Sequence, residues 1–184
     1  MSPGQIKRAF ASAIESIPRR IERISSHLFD AHGVRIELTS PDEVVDKLPS
    51  MIAASGGTWN PKLLLTGRDE PHPLLGPGGN LRPTPETEAM LFDGALLWGE
   101  VFRHRYPEAK WSIGKKPRSS VDYGDPVLVG PYQHLSEFGV RRQLNGAVGR
   151  ILLDAPDTWT LSNISRIRAF ELGFAPDPRR RIMP

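Results

Sequence analysis

The chain contains no cysteine. Disulfides, thiolate catalysis and every zinc site that needs a cysteine are thereby excluded, and only histidine and carboxylate ligands remain for a metal. Long apolar runs are missing too: stretches such as Leu63-Leu64-Leu65 and Ala95-Leu96-Leu97-Trp98 fall far short of the roughly 20 residues of a spanning helix. The start, Met1-Ser2-Pro3-Gly4-Gln5, lacks the apolar core of a secretory signal. The expectation is a cytoplasmic protein without membrane association. Also absent are a Gly-x-Ser-x-Gly elbow, a His-Glu-x-x-His pair, a Walker loop and a Gly-x-Gly-x-x-Gly turn, and Gly76-Pro77-Gly78-Gly79 has no following Lys-Ser/Thr to hold phosphate. These gaps weigh against an enzyme and imply no cofactor.

What is present suits a globular chain. Its 184 residues, 39% hydrophobic and 24% charged, suffice for one domain with its own core. Residues 1–174 read as a single α+β domain and 175–184 as a flexible basic tail. The net charge of +3 is unevenly placed: residues 1–100 carry 10 Lys/Arg against 13 Asp/Glu, and residues 101–184 carry 14 against 8. A basic half is compatible with nucleic acid or an acidic partner, and equally with a solvated arginine-rich surface.

Apolar residues at Ile6, Phe10, Ile14 and Ile17 predict a first helix. Ser16 as cap and Pro18 near the start predict a second through Ile21, Ile24 and Leu28, stopped by Gly33. Val34, Ile36 and Leu38 alternate with charged residues, which predicts a short strand. Ser40-Pro41-Asp42-Glu43 predicts a capped helix through Val44, Val45, Leu48 and Ile52, kinked or shortened by Pro49. Between 56 and 85, 12 of 30 residues are Gly or Pro, a long irregular connection that serves either as a binding loop or as a linker. Thr84-Pro85-Glu86 opens the clearest helix, through Leu91, Ala95, Trp98 and Phe102 to about Arg105. Gly94 and Gly99 inside it imply a close backbone approach, since each costs about 1 kcal/mol against alanine. Strands follow at Lys110 to Ile113 and Asp125 to Gly130, then helices at 132–144 and 161–172. Several helices around a small antiparallel sheet are therefore expected.

Candidate site residues are sparse. Glu100 and His104 lie four apart and share a helix face, so a hydrolase or metal enzyme centred on them is one reading. Two ligands are too few for a metal site, and the competing role for Glu100, flanked by Trp98 and Phe102, is a structural ion pair with an arginine. Trp98 and Trp111 fall on core positions, whereas Trp59 and Trp159 suit either a partner anchor or, as is commoner for such residues, the core. Lys115, Lys116 and Arg118 form a basic loop. With Arg141, Arg142, Arg150, Arg166, Arg168, Tyr123 and Tyr132 they sketch a nucleic-acid groove, although no DNA- or RNA-binding module is recognisable.

Gly94-Ala95-Leu96-Leu97-Trp98-Gly99-Glu100-Val101, Trp111, Asp125-Pro126-Val127 and Pro131-Tyr132 together resemble a pattern in small bacterial proteins, some grouped with immunity proteins of toxin systems. Those proteins carry a Gly-x-Tyr-x-Gly-Glu-Val helix, a Trp-containing strand, a second short strand and an Asn-Pro-Phe turn. Here Leu96 or its neighbour replaces the tyrosine, and Gly130-Pro131-Tyr132 replaces the turn. The likeness covers residues 84–145 and implies a fold and a non-enzymatic role, without an active site. The leading expectation is a bacterial protein-binding module, an immunity or accessory protein, meeting its partner through Trp59, Lys115, Lys116 and Arg118. The alternatives are a nucleic-acid-associated protein using the basic half, and an enzyme at Glu100 and His104.

Overall fold

A computed structural model describes residues 2–55, 84–115, 122–131, 137–152 and 160–176. Helix α1 (Pro3–Glu15) opens with a capping box, Gln5 N–H donating to Ser2 Oγ at 3.3 Å while Ser2 N–H donates to Gln5 Oε1 at 2.6 Å. Helix α2 (Ile17–His32) starts without the expected side-chain cap. Ser16 Oγ instead donates to the Ala13 carbonyl and accepts from Arg20 Nε, both at 2.9 Å. Gly33, at φ +67°, ends α2 in the left-handed region that favours glycine.

Residues 34–38 form no strand, because no neighbour pairs with them among the described residues. Ile36 is instead pinned by burial and by its carbonyl, which accepts from Ser25 Oγ at 2.8 Å, while Leu38 is exposed. The expected helix from Ser40 to Ile52 is two helices, α3 (Asp42–Val45) and α4 (Leu48–Ser55). Ser40 Oγ turns back to accept from Glu37 N–H at 2.9 Å, leaving Pro41 at the cap position. Asp46, at the break, accepts from the Ser162 N–H and hydroxyl, each at 2.7 Å. Pro49 falls in the first turn of α4, where a missing N–H is harmless, so it introduces no kink.

Helix α5 (Pro85–Arg105) is the central element, capped by Thr84 Oγ1 accepting from Thr87 N–H at 3.3 Å. Its glycines are contact points. A Cβ on Gly94 would stand 2.7 Å from Ile52 Cδ1 and 3.2 Å from Leu144 Cδ2, so α4 and helix α6 (Val140–Leu152) close directly on the backbone there. Trp98, 1% exposed, donates from Nε1 to Ser165 Oγ at 3.0 Å on helix α7 (Leu161–Glu171). Strands β1 (Lys110–Ile113) and β2 (Pro126–Val129) pair antiparallel with Trp111 opposite Leu128. Phe138 bridges Leu128 on the other side and meets Trp98 edge-on at 5.2 Å. That bridge displaces the expected helix at 132–144: α6 begins only at Val140, and Tyr132 lies outside the described residues.

The result is an α+β fold whose sheet, among the described residues, is one two-stranded ribbon. A contiguous apolar cluster draws on α2 through α7 and β2. Helix α1 stands apart from it and buries only Ile6 and Ala13. Among the described residues, no helix is long and apolar enough to cross a membrane.

Candidate binding groove

Because α1 lies outside the core cluster, its apolar face borders a cleft rather than a packed interior. Ile6, Ala9, Phe10 and Ala13 recur at helical spacing along one wall of a groove of about 370 Å3. Phe92 of α5 lines it from within, and the turn 123–126, leading into β2, forms the opposite wall. Gly124 lets the turn close, at φ +85° in the left-handed region that favours glycine. Backbone bonds hold it: Gly124 N–H donates to the Gly114 carbonyl and Gly114 N–H to the Asp125 carbonyl, both at 2.9 Å.

Charged groups gather around this apolar lining. Guanidiniums of Arg20 and Arg141 approach Phe92, 5.2 and 5.6 Å from its centroid. Arg20 is held by Asp93 at 2.7 Å, and Asp93 also accepts from Arg23, fastening α2 to α5. Arg141 donates to Glu88 at 2.7 Å through one terminal nitrogen and to Asp125 at only 3.3–3.4 Å through the other. Arg142 pairs with Asp122 at 3.0 Å. Burial pushes the Asp125 carboxyl above the ordinary carboxylate range; Asp122 and Glu88 push the same way and Arg141 opposes them. A carboxyl so perturbed, bordering an apolar cleft, marks a candidate binding site.

The residues singled out from sequence are dispersed. Lys115 is exposed, at the point where the described chain leaves the hairpin on one side of the groove turn, its backbone N–H directed at Glu137 at 3.4 Å. Trp59, Lys116 and Arg118 lie outside the described residues, as does Trp159. Glu100 and His104 do share an open hollow, with Leu38, Arg103 and Pro107. Within it, Glu100 Oε1 accepts from Arg103 Nη1 and from Trp111 Nε1, each at 2.6 Å, which ties β1 to α5. Among the described residues no three histidines or carboxylates gather as a metal site. His32 Nε2 instead lies 2.6 Å from Ser55 Oγ and 3.1 Å from the Met51 carbonyl, closing α2 on α4.

The groove residues Phe10, Phe92 and Asp125 were not singled out by sequence reasoning as a site. One signal was available: Phe92 and Asp93 stand beside Leu91 but off the stripe that runs through Ala95 and Trp98. With the geometry in hand, comparison with known proteins adds nothing to it: no family model, curated protein or solved structure matches the chain.

Proposed function

We propose that the protein is a non-catalytic bacterial binding module, an immunity or accessory protein, that occludes a protein partner by seating part of it in the groove between α1 and the turn 123–126. The observation that carries this reading is the open apolar lining of Phe10, Phe92 and Tyr123 with charged residues at its edge. An apolar centre with a polar rim is the anatomy of a protein interface. Lys115 is exposed where the described chain leaves β1, and we assign it, with Lys116 and Arg118 that follow in the sequence, the role of meeting an acidic patch on the partner. The likeness over residues 84–145 supports the immunity class.

Nucleic acid is the weaker reading. Arg141, Arg142, Arg166 and Arg168 are each paired with a carboxylate of the chain itself, and guanidiniums already neutralised release few counterions from a phosphate backbone.

The test is capture from bacterial cells with the tagged protein, washed at low and then high salt. One protein retained through high salt, lost when Ala9→Trp fills the groove, and held several-fold less tightly when Lys115, Lys116 and Arg118 are neutralised together is the expected outcome. Nucleic acid that elutes with salt, or a hydrolytic activity abolished by Glu100→Gln, would overturn it.

A further inference from the structure

We infer that the occupant of the groove is a basic side chain of the partner, an arginine or lysine whose apolar stem lies along Phe10 and Phe92 and whose cationic head meets the Asp125 carboxylate. The inference rests on the binding reading above and names its central contact. Its basis is charge complementarity at one end of an apolar cleft. Asp125 is the one charged residue among the described residues lining the groove. Its oxygens stand 3.4 and 3.3 Å from Arg141 Nη1, longer than the roughly 2.7–2.9 Å of a charge-assisted bond. Arg141 is held back because its other terminal nitrogen donates to Glu88 at 2.7 Å and its guanidinium lies over Phe92.

Among the described residues, the groups that face Asp125 are Glu88 from α5, Asp122 from its own turn, and Arg141 and Arg142 from α6. Helix α1 adds no charge to its side of the cleft, which Ile6, Ala9, Phe10 and Ala13 form. A cation supplied from outside gives Asp125 the close partner that Arg141, at 3.3–3.4 Å, does not. A neutral apolar occupant leaves Asp125 poorly bonded, and an acidic one adds a like charge. Basic side chains combine the two required parts, a hydrocarbon stem and a charged head. Burial raises the proton affinity of Asp125, so a bound cation competes with a proton there.

The test titrates the isotope-labelled full chain with Nα-acetyl-arginine amide and with the citrulline analogue, which keeps the shape and removes the charge. Backbone amide shifts at Phe10 and Gly124 report binding, and the carboxyl carbon of Asp125 reports its titration. The arginine probe should bind about tenfold or more tightly than the citrulline probe. It should lower the Asp125 midpoint and lose its advantage as pH falls through that midpoint. Asp125→Asn should abolish the preference. Glu88→Gln, which leaves the turn intact and frees Arg141 to grip Asp125, should reduce it. Equal binding of the two probes, or a preference that survives Asp125→Asn, overturns the inference. If that happens while Ala9→Trp still releases the partner, the groove reading stands and only its occupant is wrong. The reverse pattern would keep the cation subsite and remove the partner reading.

Discussion

The indole of Trp111 occupies the space where a side chain on Gly99 would stand. This contact, reinforced by the bond from Trp111 Nε1 to Glu100, seats the sheet on the central helix. Gly99→Ala should therefore destabilise the protein although alanine is the better helix former. Overpacking of this kind costs about 1–3 kcal/mol and the propensity gain returns about 1 kcal/mol. Urea unfolding should show a lower midpoint with unchanged slope, accompanied by a shift in tryptophan emission. A midpoint at or above the wild-type value would mean that Trp111 moves aside freely.

Asp93 is the buried member of a triad whose arginines reach solvent: its side chain is 3% exposed, against 30% for Arg20 and 62% for Arg23. Asp93→Asn removes the charge that both guanidiniums grip. Because the arginines can hydrate once released, the loss should be about 2–3 kcal/mol, below the cost of stranding a fully buried ion. Thermal unfolding checks this, and Arg23→Ala should cost much less than Asp93→Asn.

Asp46 caps α7 from another part of the chain, accepting from both donors of Ser162 at 2.7 Å. Asp46→Ala should cost about 1–2 kcal/mol, as the loss of a helix cap does. Amide exchange should accelerate at the start of α7 before it does in α5. Uniform acceleration would show instead that the two helices open together.

Asp42 supplies acid sensitivity. Its partial burial would raise the carboxyl, but hydrogen bonds and charge from Arg105 and then Arg166 outweigh burial and hold it below the ordinary value. An acid with a lowered folded pKa contributes stability that is complete above its unfolded pKa, about 3.9, and is lost as pH falls through the folded value. The difference in melting temperature between wild type and Asp42→Asn should be constant from pH 5 to 7 and shrink in more acidic solution. A difference that widens toward acid would contradict the sign.

Asp125 behaves in the opposite sense. With its pKa raised in the folded state, the folded protein holds the proton more tightly than the unfolded chain, and stability falls as pH rises through the raised value. Asp125→Asn should melt at a higher temperature than wild type at pH 7 and lose that advantage below about pH 4. The gain would mark a residue kept for binding at a cost in stability; a loss at pH 7 would show that its bond to Arg141 dominates.

Local chemistry was enough to fix several elements from sequence. Thr84 caps α5 through a bond spanning three residues, and Gly33 supplies the positive φ that stops α2. The approaches at Gly94 and Gly99 were readable as well, because a glycine within a capped helix needs a compensating contact. Other features depended on residues far apart in the chain. Residues 34–38 alternate like a strand, yet among the described residues no edge stands beside them and Ser25 takes the Ile36 carbonyl. The helix from 41 to 52 breaks where Asp46 turns to a donor 116 residues away. The groove is of the same kind, joining α1, Phe92 and the turn at Asp125 from three separated segments. Periodicity and capping are short-range and so are written in sequence order, whereas the partner of an unpaired edge, a half-buried carboxylate or an uncovered helix face is chosen only when the chain closes on itself.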